Sequence, residues 1–343
     1  MDPDLLLAEL LAGKTAALAR AISVVENARP GFEQLLAKVH RSVGRARRIG
    51  LTGPPGAGKS TLMERLVAAY RAEGLRVAVI AVDPTSPFTG GALLGDRIRM
   101  ESIALDEGVY IRSMGSRGSL GGLATSTREV CDLVDAAGFD RVLVETVGVG
   151  QSELDVARIA DATVLVLVPE SGDSIQTLKS GVMEVADVFV VNKADRPGAD
   201  KLRQELEVML GIRKGNAFRH VPAHHGVRGA LPHDRAVAQM DGWQHPVLLT
   251  SAAKGEGVAE LVAALDRRFD WLERTGELTQ RRRRRLLDRT REVVDRATRR
   301  WVWEETGAEG HVAGRLDDVA EGRASPYEVA AEVLVGLKQG SRT

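Results

Sequence analysis

Gly53-Pro54-Pro55-Gly56-Ala57-Gly58-Lys59-Ser60-Thr61 is the stretch that decides the fold. It fits the pattern G-x-x-x-x-G-K-[ST] at every position. The residues before it, Arg48-Ile49-Gly50-Leu51-Thr52, read as a strand, and residues 59–73 read as a helix. The mechanism needs that context. Glycines let backbone N–H groups wrap a phosphate, and the helix N-terminus adds positive potential. Lys59 can reach the β- and γ-phosphates of a nucleotide, and the Ser60 hydroxyl is an expected Mg²⁺ ligand. All nine residues are therefore candidate phosphate-site residues.

Working outward, apolar strand-sized runs recur at 76–82, 141–145, 162–168, 188–192 and 246–250. They lack in/out alternation, so both faces are expected to be buried. Strands alternating with helical stretches predict an α/β fold with a doubly wound, mainly parallel sheet. Upstream, Leu6, Leu10, Leu11, Leu18, Ala21, Ile22 and Val25 recur at helical spacing and predict one or two amphipathic helices over 4–28. A break is expected at 27–31 and a second short helix at about 32–46. Downstream, Leu286, Leu287, Val293, Val294, Ala297 and Trp301 predict a long helix over 278–304. Residues 266–300 hold 13 arginines against 7 acids, which gives that helix an arginine-rich outer face. The expected division is an N-terminal helical segment (1–46), a nucleotide domain (47–273) and a C-terminal helical arm (274–343).

The 343 residues carry 47 basic and 47 acidic side chains, a net charge of zero. A global nucleic-acid or anionic-membrane binder would show a basic excess, so neither class is expected. The arginine run 281–285 reads as a solvated face or a subunit-facing surface. The single cysteine, Cys131, cannot form an internal disulfide and reads as a small buried hydrophobe. The start, Met1-Asp2-Pro3-Asp4, is too acidic for a signal peptide, and no apolar run approaches about 18 residues. A soluble cytoplasmic protein is the expectation.

Asn192-Lys193-Ala194-Asp195 follows an apolar strand about 130 residues after Lys59. The Asp195 carboxylate can accept from guanine N1–H and N2 together, a donor pair adenine lacks. Lys193 can lie over the base, and Asn192 can tie this loop to the phosphate loop. Thr250-Ser251-Ala252-Ala253 resembles the last guanine-binding element of GTPases, where a backbone N–H meets guanine O6. Glu145-Thr-Val-Gly148 supplies an acid for the Mg²⁺ environment and a glycine for the γ-phosphate, although Ras-like GTPases have Asp at the first position. Asp83 and Asp96 are further candidate Mg²⁺ carboxylates. No side chain clearly positions the attacking water, and Gln151 lies outside the Ras-like position, so slow intrinsic turnover is expected.

Together these residues resemble the MeaB/ArgK family of SIMIBI-class GTPases. The resemblance is carried by 53–61, by Val82-Asp-Pro with Thr89-Gly-Gly and Gly95-Asp-Arg, by Glu145-Thr-Val-Gly-Val-Gly-Gln-Ser-Glu153 and by Asn192-Lys-Ala-Asp195. It runs from about residue 12 to 335, where Ala324-Ser-Pro-Tyr-Glu-Val-Ala-Ala-Glu-Val-Leu334 is similar to the family's C-terminal end. It implies a chaperone that hydrolyses GTP to GDP. Such a protein gates adenosylcobalamin loading and protects or reactivates a B12-dependent acyl-CoA mutase such as methylmalonyl-CoA mutase. It also implies a homodimer joined through the C-terminal arm. A third switch maps onto Pro169 to Asp173 and on through Gln176, Lys179 and Glu184, with Lys179 and Gln176 as the residues that respond to the partner. The resemblance thus adds Lys179 to Lys59, Glu145 and Gly148 as candidate catalytic residues.

One departure is the stretch 213–245, which holds His220, His224, His225, His233 and His245. It matches no standard zinc spacing and reads as a surface loop. Three rival readings stay open. A metallochaperone GTPase would carry a Cys/His cluster, a P-loop kinase would prefer ATP, and a nucleic-acid module would bind through 281–285 with strong salt dependence.

Overall fold

The computed structural model describes residues 3–83, 101–115, 122–146, 152–170, 182–213 and 242–340. The chain forms two compact units, Met1–Leu278 and Thr279–Thr343. The first is built on strands β1 (Arg47–Thr52), β2 (Val77–Asp83), β3 (Val109–Gly115), β4 (Arg141–Thr146), β5 (Ala162–Leu167), β6 (Val188–Val191) and β7 (Val247–Leu249). They form one sheet in the order β3-β2-β4-β1-β5-β6-β7. Every pairing is parallel.

Period-two alternation sends successive side chains to opposite faces, and helices cover both. Ala78, Ile80, Val82, Val142 and Val144 enter one core with α1 (Pro3–Leu11), α2 (Thr15–Glu26), α3 (Phe32–Val39), α6 (Gly122–Ala136) and α7 (Ser152–Ile159). Ile49, Leu51, Val77, Val79, Leu143, Val164 and Val166 enter the other with α4 (Lys59–Ala72) and α10 (Val258–Arg274). Leu165, Leu167, Phe189 and Val191 are buried under α9 (Ala199–Arg213). Two short helices, α5 (Glu101–Ala104) and α8 (Val182–Val185), complete the described elements of this unit. Each fully buried aliphatic side chain stabilises the fold by about 1.5–3 kcal/mol. Both faces are therefore costly to expose, and the strands carry no polar alternation.

The N-terminal helices dock through Leu6, Leu10, Leu18, Ala21, Ile22 and Val25, all buried. Leu11 departs from the expectation. It ends α1 and is 43% exposed, because one residue past the buried Leu10 the helix has turned about 100° from the packed face of Leu6 and Leu10. The helix expected at 32–46 stops earlier. α3 ends at Val39, a 3-10 turn covers His40–Ser42, and Gly44 at φ +106° redirects the chain into β1. That entry is anchored by Asp135, whose carboxylate accepts from the amides of Gly44 (2.7 Å), Arg45 (3.2 Å) and Ala46 (3.1 Å). Arg48 Nη2 donates to Asp132 at 2.7 Å beside it. Cys131, free and buried, belongs to the same core.

β3 went unmarked in the sequence. It is an edge strand paired only with β2, and its residues 111–113 are only partly buried. At the opposite side, Arg268 Nη2 meets Asp187 Oδ1 at 2.7 Å, with both side chains almost wholly buried. The guanidinium lies over Trp243 (4.9 Å) and Trp271 (4.6 Å). Asp187 Oδ2 accepts the Thr163 amide at 2.9 Å, so this charge is hydrogen-bonded on more than one side.

The second unit is helical. α11 (Glu277–Arg300), which begins just before it, runs into a π-helical turn (Trp301–Glu305), α12 (Ala308–Gly314), α13 (Leu316–Ala320) and α14 (Pro326–Lys338). α14 starts with a capping box in which Ser325 Oγ accepts the Glu328 amide and Glu328 accepts the Ser325 amide. α11 buries no residue, and Leu286, Leu287, Val293, Val294 and Trp301 are 40–56% exposed. Among the described residues, no helix is long and apolar enough to cross a membrane.

Candidate functional site

After β1 the chain passes beyond β4 to β2, whereas after β4 it crosses β1 to β5. The order reverses at β1 and β4. Open parallel sheets bind ligands outside the carboxyl ends of their strands at such a point. The described nucleotide motifs sit on that edge. The glycine loop follows β1, Glu145 is the penultimate residue of β4, residues 192–195 follow β6, and residues 251–253 follow β7. β1 and β6 are two strand spacings apart, about 10 Å, which is the reach between the base and the β-phosphate of a nucleotide.

At the phosphate end, Gly53 adopts φ +139°, and a Cβ there would lie 2.1 Å from the Val166 carbonyl oxygen. Gly58, at φ +86°, would press a Cβ to 2.4 Å from Asn192 Nδ2. These glycines are required both by conformation and by close approach. Pro54, Pro55, Gly56 and Ala57 lie between them, and α4 opens at Lys59. Lys59 is buried, and its Nζ donates to the Gly53 carbonyl (2.8 Å) and the Pro54 carbonyl (3.1 Å). Its charge therefore stays on the concave side of the loop. Thr61, on the first turn of α4, faces solvent.

Ser60 Oγ donates to Glu145 Oε1 at 2.8 Å. Glu145 pairs in register with Leu51 of β1 and Ala81 of β2, so it stands between the two strands that flank it. Asp83 ends β2, two residues beyond Ala81 on the same sheet edge. A hydroxyl and a buried carboxylate at hydrogen-bond distance form the hard, all-oxygen donor pair that suits Mg²⁺. Among the described residues, no group of three or more His, Cys, Asp or Glu gathers as a metal cluster. Asp96, Gly148, Gln151, Gln176, Lys179 and the histidines at 220, 224, 225 and 233 lie outside the described residues.

At the base end, Asn192 joins three segments. Its Nδ2 donates to the Ala57 carbonyl (2.8 Å), while its Oδ1 accepts from Thr250 Oγ1 (3.1 Å) and the Ala252 amide (3.1 Å). Lys193 takes a left-handed backbone (φ +57°) and donates from Nζ to the Gly56 carbonyl at 2.8 Å. Asp195 Oδ1 accepts from Ser251 Oγ at 2.8 Å, and Lys254 Nζ lies 3.6 Å from Oδ2. The Ser251 hydroxyl, followed by a backbone amide and Lys254, holds the Asp195 carboxyl below its ordinary range. It therefore stays an acceptor at any working pH.

The structure adds contacts that the motifs did not spell out, and two residues, Lys254 and Arg65, that no motif marked. Thr250 Oγ1 orients Asn192, Lys254 pairs with Asp195, and Arg65 on α4 grips the 251–254 turn through the carbonyls of Ala252 and Ala253. Arg65 is an exposed helix arginine 187 residues from Ala252, and its spacing carries no signal.

Residues 18–306 match the family model described as methylmalonyl Co-A mutase-associated GTPase MeaB. A protein of Pyrococcus abyssi named for GTPase activity is 45% identical over 291 residues, spanning 85% of this chain and 83% of its own. A Caenorhabditis elegans protein named methylmalonic aciduria type A homolog, mitochondrial, is 31% identical over 363 residues, spanning 97% of this chain and 83% of its own. Among solved structures, one titled LAO/AO transport system kinase aligns with a TM-score of 0.67 and 29% identity, covering 98% of this chain and 97% of that one.

Proposed function

Because the chain belongs to the MeaB family of methylmalonyl-CoA mutase-associated GTPases, we propose that its GTP hydrolysis serves a B12-dependent acyl-CoA mutase. The GTPase activity goes with the family. The finer reading is that the protein gates adenosylcobalamin loading and protects or reactivates the mutase. It acts as a cytoplasmic homodimer whose C-terminal arm joins the copies. The exposed apolar side chains of α11 support the arm as a contact surface. The family description and the name of the nematode relative support the partner.

One observation carries the nucleotide reading: the Asp195 carboxylate, charged and aimed by Ser251, shares an edge with the glycine loop. Asp195 accepts from the N1–H and N2 groups of guanine. The loop amides and Lys59 hold the phosphates and neutralise charge as the γ-phosphoryl group leaves. Ser60 and Glu145, joined by Asp83 and Asp96, would hold Mg²⁺, which when bound draws charge from the phosphate oxygens. Glu145 also orients the Ser60 hydroxyl through their 2.8 Å contact.

Replacing Glu145 with Gln keeps an oxygen for Ser60 but removes the charge. Turnover is expected to fall about 10–100-fold, the usual cost of disturbing the shell around a metal. GDP affinity in EDTA should be unchanged. Equal turnover by Glu145→Gln across a Mg²⁺ titration would remove Glu145 from the metal environment. The whole proposal is tested by phosphate release from GTP, with ATP as control, with and without the cobalamin-dependent mutase of the same organism. GTP-selective turnover that rises with the mutase supports it. ATP preference would favour a kinase, and turnover indifferent to the mutase would send the partner search to the histidine-bearing stretch.

A further inference from the structure

Arg65 lies six residues beyond Lys59 in α4, the helix whose first turn completes the phosphate loop. Its Nε donates to the Ala252 carbonyl at 3.0 Å and its Nη2 to the Ala253 carbonyl at 2.9 Å. A guanidinium is a rigid planar fork, so two bonds to consecutive carbonyls fix the orientation of both peptide planes. In a trans peptide the C=O and the N–H point in opposite directions. Drawing the Ala252 carbonyl toward α4 therefore turns the Ala253 N–H away from α4. The neighbouring bonds leave that amide as the adjustable part of the turn. The Ala252 amide is committed to Asn192 Oδ1 at 3.1 Å, and the Lys254 amide closes on the Ser251 carbonyl at 2.9 Å.

We propose that Arg65 is a positioning residue for base recognition: it aims the Ala253 amide at the exocyclic oxygen of a 6-oxopurine. This rests on the guanine reading of Asp195 above. Asp195 reads the N1 and N2 edge of the base, and Arg65 acts on the oxygen edge through the backbone. Arg65 belongs to the phosphate-side helix, so one side chain couples the grip on the phosphates to the choice of base.

The probes are GDP and the diphosphate of 2-aminopurine riboside, which keeps the 2-amino group but lacks the 6-oxo group and the N1–H that goes with it, so only the change in its affinity on substitution is read. Arg65→Met keeps the apolar stem and removes the donors, and Arg65→Lys restores a single donor. Binding of both nucleotides is measured by calorimetry for the full chain and each variant, alongside the melting temperature without nucleotide. GDP affinity of Arg65→Met is expected to fall about tenfold, the worth of one well-aimed hydrogen bond. Affinity for the 2-aminopurine nucleotide should change less than about twofold, and Arg65→Lys should recover part of the GDP loss. Equal weakening of both nucleotides would make Arg65 a structural staple and overturn the proposal, as would no weakening of GDP. A wild-type chain that binds both nucleotides alike would overturn the guanine reading itself.

Discussion

Lys59→Ala is expected to lower GTP turnover by about a thousandfold or more, on the scale of losing a cation that stabilises a transferring phosphoryl group. Two losses combine. The ammonium group is the only basic group at the mouth of the loop among the described residues of 53–61, so the developing phosphate charge loses its partner. The Gly53 and Pro54 carbonyls also lose the donor that holds the loop from within, at 2.8 and 3.1 Å. Lys59→Arg should not rescue. A planar guanidinium is wider than an ammonium, and the loop encloses Lys59 until only 5% of the residue is exposed. Single-turnover phosphate release is the measurement. Hydrolysis within about tenfold of the parent would place the phosphate site elsewhere.

Asp195→Asn is the second large effect. In the proposed site the carboxylate accepts two donors from guanine, whereas an asparagine amide presents one acceptor and one donor group. Its NH₂ then faces the guanine 2-amino group with no acceptor between them. Leaving polar groups unmatched against the bound base costs about 10²–10³-fold in GTP affinity. Xanthine carries an oxygen where guanine has the 2-amino group, so XTP should gain affinity in the variant. The measurement is competition between GTP and XTP for both proteins. Unchanged GTP affinity would withdraw Asp195 from base recognition. The Ser251 hydroxyl can donate to an amide oxygen as well as to a carboxylate, so the loop should keep its shape and the comparison stays clean.

What the sequence revealed and what it hid follow one physical division. β1, β2, β4, β5 and β6 were legible because strands buried on both faces are written as unbroken apolar runs. β3 was hidden because an edge strand is half exposed and carries Arg112 and Ser113 in its middle. The glycine loop and the 192–195 loop were legible because backbone geometry restricts them to a few residue types. Gly53 and Gly58 have no room for a side chain. Arg65, Lys254 and the bond from Thr250 to Asn192 were hidden because they arise from contacts between distant segments. The helix expected over 32–46 ends sooner because a 3-10 turn and Gly44 override its helical spacing.

Asn192 has a consequence for how nucleotide leaves. Its side chain bonds to the phosphate loop at Ala57 and to the 250–252 segment at Thr250 and Ala252, and Lys193 adds a bond to Gly56. The two ends of the cleft are thus wired as one mechanical lever, and neither can open alone without breaking buried hydrogen bonds. If both ends must open for nucleotide to leave, slow spontaneous exchange is expected. A protein that pries at either end would loosen both. A partner that pushed on the base side would then be expected to promote exchange without reaching the phosphates.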